Sequence, residues 1–200
     1  MVSPNKSNLE SSKMTKDVKA ADSRLIEKAE VIARTILSQQ QFYNSQEATF
    51  NQRQLLETMI GAAIWYLPQS RELWTGAISH EALTCLATSP TPKSVKLTKD
   101  HNYPRKVAAA ELLKLDWSKI ENKPQEVVDR YLRIYGRFNY VLPEENKKLV
   151  KYQKTHSFVS SAQSYEDAGI KLHQLSSHVL KAILAGDADI AQMALSGDID

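Results

Sequence analysis

Apolar residues recur at three- and four-residue spacing over much of the chain. Leu25, Ile26, Ala29, Ile32, Ala33, Ile36 and Leu37 fall on one helical face. Ser23 stands where an N-cap belongs, and the polar run Gln39–Ser45 ends or bends the helix. A second helix is expected from about Asn51. Its stripe is Leu55, Leu56, Met59, Ile60, Ala63, Ile64 and Leu67, and Pro68 stops it. Trp65, Tyr66 and Trp74 flank that stop and read as core fillers. Ile78–Leu86 reads as a short helix capped by Ser79. Helical patterns return at Val107–Leu115, Pro124–Tyr135, Pro143–Tyr152 and Tyr165–Leu184, the last ended by Gly186. Asp189–Leu195 makes a final short turn. Two stretches read as strands instead: Ser94–Thr98, where apolar residues alternate, and Arg137–Leu142. The pattern predicts a mainly α fold with a small β-hairpin.

Composition divides the chain. Residues 1–21 are rich in Ser, Lys and Asn and read as a flexible arm. Residues 22–90 form a helical region. Pro90 and Pro92 then make a rigid connector into residues 91–165, and residues 166–200 are C-terminal helices. Charge follows the same division. Residues 1–90 are neutral, whereas residues 91–156 carry fifteen Lys/Arg against eight Asp/Glu, and residues 166–200 carry two against six. The overall +3 is therefore a basic segment of +7 offset by an acidic tail of −4. A concentrated positive field attracts polyanions, because neutralising phosphates releases their counterions.

Other classes are excluded. The single cysteine, Cys85, permits no internal disulfide and no zinc site built on several cysteines. Six glycines without a Gly-rich loop argue against phosphate-loop and dinucleotide folds. No apolar run nears the roughly 20 residues that span a bilayer. Met1–Lys19 lacks the apolar core of a secretory signal, so a soluble, intracellular protein without membrane partners is expected.

One stretch departs from helical scaffold. Lys96-Leu97-Thr98-Lys99-Asp100-His101-Asn102-Tyr103-Pro104-Arg105-Lys106 sets a carboxylate beside an imidazole after a strand, among basic residues. A carboxylate suits a hard cation such as Mg2+. A neutral imidazole can take a proton from water, since its unperturbed pKa is about 6.5. Adjacent strand residues face opposite ways, so the pair shares a site only if the strand has ended before it.

Leu97-Thr98-Lys99-Asp100-His101-x-x-Pro104 resembles the first half of the HNH, or ββα-metal, nuclease motif, in the form found in HNH-type restriction endonucleases. The resemblance covers about a third of the chain. It implies a ββα-metal core within the helical scaffold, with His101 as general base and Asp100 as ligand of Mg2+ or Mn2+. It implies a second strand, then a helix carrying an Asn and a later His, Asn or Gln. Asn146 matches the bracing Asn, with Asn139 as a rival. His156 matches the second metal ligand, with Gln153 as a rival. The distance from His101 to Asn146 exceeds that of the compact motif, so the helices between them would be an insertion. The implied activity is metal-dependent cleavage of DNA, double-stranded in the first instance. Lys96, Lys99, Arg105, Lys106, Lys147, Lys148 and Lys151 would contact the backbone, and a homodimer could cut both strands. The competing reading is a non-enzymatic helical module that docks nucleic acid or protein through residues 91–156. His80 is expected in a helix's first turn without chemistry, and His173 and His178 as partly buried or interface residues near the apolar stripe of a helix. Cys85 is expected as a small core residue.

Overall fold

The computed structural model describes residues 6–68 and 71–198. The fold is mainly α with a small sheet. Helices α1 (Lys6–Asn44), α2 (Phe50–Trp65), α3 (His80–Thr88), α4 (Arg105–Lys114), α5 (Lys123–Arg130), α6 (Pro143–Leu149), α7 (Ser161–Asp167), α8 (Ser177–Ala185) and α9 (Ala188–Ser196) surround four strands. These are β1 (Trp74–Ser79), β2 (Thr98–His101), β3 (Phe138–Val141) and β4 (Leu172–Gln174), in the order β2-β3-β1-β4. β3 runs parallel to β1 and antiparallel to β2, while β4 closes the far edge antiparallel to β1. Strands from all three of the larger segments read in the sequence thus share one sheet. Among the described residues, no helix is long and apolar enough to cross a membrane.

α1 starts well before Ser23. No Gly or Pro interrupts the chain between Pro4 and Gly61, so nothing local breaks the helix. Residues 6–21, expected as a flexible arm, are helical, and residues 1–5 lie outside the described residues. Ser23 is no cap; its hydroxyl donates to Glu27 one turn on (3.0 Å). α2 is capped by Thr49, whose hydroxyl accepts the Gln52 N–H while the Gln52 side chain accepts the Thr49 N–H. Its buried residues are Glu57, Ile60, Gly61 and Ile64, and two members of the expected stripe, Leu55 and Met59, face outward.

α1, α2, α4 and α5 build one core, closed by Trp117, Tyr131, Tyr135 and Phe138. α3, α8 and α9 build a second around Ile78, Leu83, Leu86 and Ile183. Trp74 and Tyr140 border both. Where α2 meets α4 the helices touch closely: a Cβ on Gly61 would lie 2.8 Å from the Arg105 carbonyl oxygen. Only glycine allows the start of α4 to come that near.

Three strand readings change. The expected strand Ser94–Thr98 begins four residues late, because its partner β3 is short. The ladder starts at Thr98 opposite Val141, and Pro143 opens α6 just beyond. Asp100 and His101 are consequently in the strand, not in a loop after it. β1 went unseen because its buried residues, Ala77, Ile78 and Ser79, are consecutive and do not alternate. The expected single helix Tyr165–Leu184 is α7, β4 and α8. Gly169, at φ +67°, turns the chain out of α7, and Ser176 caps α8 anew. α6 also stops at Leu149, three residues early.

Candidate active site

The β2–β3 ladder pairs Asp100 with Asn139 and His101 with Phe138. Residues 102–137, which hold α4 and α5, intervene between the two strands, and α6 follows β3 directly. An antiparallel strand pair and a helix therefore come together although 36 residues, 102–137, separate the two strands. Glu145 fixes the strand-to-helix step. Its buried carboxylate accepts the Leu142 N–H (2.8 Å) and the Ser79 hydroxyl (2.5 Å), tying α6 to the N-cap of α3.

A cavity of about 710 Å3 opens beside these elements. It is lined by Asp100, His101, Asn146, Gln153 and His156, together with Lys99, Arg105, Lys106 and Lys154. The residues singled out for chemistry in the sequence thus border one space, although Asp100 and His101 are consecutive strand residues. Both are nearly closed off from solvent, at 3% and 7% exposure.

Asp100 is held by neutral donors. The Tyr165 hydroxyl donates to Oδ2 (2.6 Å), and the Gln153 amide donates to both oxygens (2.9 and 3.2 Å). No cation pairs with it among the described residues. Burial raises its pKa above the ordinary carboxylate value, and the two donors pull it back in part. Tyr165 also touches Asn139, whose Oδ1 accepts the Thr75 hydroxyl (2.5 Å). Thr75 lies where the β1–β3 register shifts.

His101 packs on Trp65, with ring centroids 4.6 Å apart, and edge-on to Phe138 at 6.1 Å. Burial lowers its pKa below the usual 6.5, and Lys99 lowers it further. The carbonyls of Tyr135 and Gly136, at the end of the π-helical turn Tyr131–Tyr135, oppose that shift in part. Its buried Nδ1 nonetheless closes no hydrogen bond of good geometry. Such turns recur at functional sites. The imidazole is therefore neutral at pH 7, the form a proton acceptor needs.

The other expected residues divide. His156 is exposed and lines the cavity, whereas Gln153 is the side chain that reaches Asp100. Asn146 is half-buried and lines the cavity, while its rival Asn139 is buried in the Thr75–Tyr165 network. Lys99, Arg105 and Lys106 line the cavity, and Lys96, Lys147, Lys148 and Lys151 do not. Lys147 instead pairs with Glu144 (2.9 Å), its neighbour one turn back, and Lys151 lies over the Tyr152 ring. His173 is not helical; it is on β4, with Nε2 2.9 Å from His80 Nδ1. His178 is on α8 and exposed. Two side chains at the site carry no local signal in the sequence: the pattern predicts Tyr165 as the start of a long helix and Trp65 as core filler, yet Tyr165 donates to Asp100 and Trp65 packs on His101.

Among the described residues, no group of three or more His, Cys, Asp or Glu side chains gathers that could hold a metal. The donors at hand are the Asp100 carboxylate, the amides of Gln153 and Asn146, and the His156 imidazole. Carboxylate and amide oxygens suit a hard, partly hydrated cation. A half-turn of the Gln153 amide would present Oε1 where Nε2 now stands. The buried, unpaired charge of Asp100 fits such an ion, because burial without a cation is what raises its pKa. No protein-family model, curated protein or solved structure matches this chain.

Proposed function

We propose that this protein is a metal-dependent DNA endonuclease of the HNH type. One observation carries the reading. An antiparallel strand pair followed by a helix sets Asp100, His101, Asn146 and Gln153 around one cavity that also holds cations without ion-pair partners. That combination suits hydrolysis of a phosphodiester. Lys99, Arg105, Lys106 and Lys154 draw the phosphate in. His101, neutral and dry, takes the proton from the attacking water. Asp100, Gln153 and either Asn146 or His156 hold the divalent ion, Mg2+ or Mn2+. Such an ion, when bound, stabilises charge on the phosphate and on the departing 3′ oxygen. Tyr165 and Trp65 position Asp100 and His101 and exclude water around them. Two copies acting together would cut both strands of a duplex.

A plasmid-nicking assay with Mg2+ or Mn2+, with and without EDTA, tests this. Wild type should nick only with metal. His101→Ala should lose about 10²–10⁴-fold, the usual range for removing a general base. Undiminished cleavage by His101→Ala would sink the assignment. Salt-sensitive DNA binding with no metal-dependent cleavage would leave the docking-module reading standing.

A further inference from the structure

The reactive pair is recessed. Asp100 and His101 line the cavity but are nearly closed to solvent, so a phosphate must enter to reach them. Trp65 stands at the same cavity with 41% of its surface exposed, and the Arg105 guanidinium lies over its ring at 5.4 Å. Val150, also lining the cavity, is 57% exposed. Arg105 is exposed and makes no ion pair among the described residues. A cationic plane on an exposed aromatic is a surface on which an unpaired base stacks. In a duplex the bases already stack on one another, and a duplex is stiff over about 150 base pairs. Paired DNA would have to bend or open before its backbone reached the floor, whereas a single strand bends in without that cost.

We infer that the cavity takes an unpaired DNA strand, with a base stacked on the Trp65–Arg105 pair and the adjoining phosphate lowered onto Asp100 and His101. The inference rests on the nuclease reading and narrows its substrate from duplex to single-stranded or locally opened DNA. Trp65 acquires a second part: its ring packs on His101 and offers its exposed surface to the base.

Fluorescence anisotropy with a labelled 20-nucleotide strand, alone and annealed to its complement, tests the inference in EDTA, where nothing is cut. The single strand should bind about 10-fold more tightly or better, the equivalent of one stacked base. Trp65→Ala and Arg105→Ala should each remove most of that preference, and Trp65→Phe should keep it. Arg105 is exposed, so its variant separates lost stacking from lost folding. Equal or tighter binding of duplex, or a preference untouched by Arg105→Ala and Trp65→Ala, would overturn the inference. Duplex preference with metal-dependent nicking would overturn it alone. Single-strand preference without metal-dependent cleavage of any DNA would uphold it as a binding site and overturn the nuclease reading. Failure to bind either DNA in EDTA would overturn the inference alone, since the nuclease reading places a metal ion at the phosphate and is decided by the nicking assay with Mg2+ or Mn2+.

Discussion

Asp100 is a residue placed against its own electrostatic interest. Its pKa is raised above the unfolded value of 3.8, so folding favours the protonated acid. Stability from this group is full below the unfolded pKa and is lost as pH rises through the folded pKa. At pH 7 the ionised carboxylate therefore weakens the fold, and Asp100→Asn should strengthen it. The gain follows from the direction of the shift alone: removing a carboxyl whose charged form is disfavoured by burial removes that penalty. Urea unfolding at pH 7 and pH 3 checks this; the variants should differ at pH 7 and converge at pH 3, where both side chains are uncharged. Saturating Mg2+ should reverse the order. It should stabilise wild type, by about 2.7 kcal/mol at 100 times its Kd, and leave Asp100→Asn nearly unmoved. His101 shifts the other way. With its pKa lowered below 6.5, cleavage should be at its plateau by pH 7 and fall on acidification through a pKa below 6.5. An acid limb centred above pH 7 would show that another group takes the proton.

At the scale of elements, the site depends on how closely α4 starts beside α2. A methyl on Gly61 would meet the Arg105 carbonyl, a backbone atom that cannot swing aside. Gly61→Ala should push the first turn of α4 off α2 and carry Arg105 away from Trp65. Overpacking of this kind costs about 1–3 kcal/mol, which urea unfolding would measure. Single-strand binding should fall with it. The helices that bury an apolar stripe were legible in the sequence, and several have a polar cap such as Ser79 or Asn122; the first part of α1 and the separate α7, which buries only Ser164 and Tyr165, were not. The sheet was harder. β1 has a run of consecutive buried residues, and β4 is three residues long, held by its pairing with β1. A period-two pattern cannot show in the three residues of β4, and in β1 the consecutive burial erases it. The Asp100-His101 pair stood out by composition. Tyr165 did not, because its role comes from a turn at Gly169 and a contact 65 residues away.

For the whole molecule, the division of charge seen in the sequence survives folding only in part. The basic segment supplies four cavity cations, Lys99, Arg105, Lys106 and Lys154, none of them in an ion pair among the described residues. Other members of the segment are spent locally: Lys147 pairs with Glu144, Lys119 with Asp116, and Arg130 with Glu126. The number that matters for a nucleic acid is therefore the four at the cavity and not the +7 of the segment. Each phosphate neutralised on a single strand contributes about −0.7 to the slope of log K against log salt. Four contacts give a slope of about −3 for single-stranded DNA. Charge-neutral substitution at Lys106 or Lys154 should lower its magnitude by about 0.7 each. Lys147→Ala, which removes a lysine already paired and outside the cavity, should leave the slope unchanged. Anisotropy titrations between 50 and 300 mM KCl would measure all three. A slope steeper than about −5, or one moved as much by Lys147→Ala as by Lys106→Ala, would mean that the strand tracks the wider basic surface instead of the cavity.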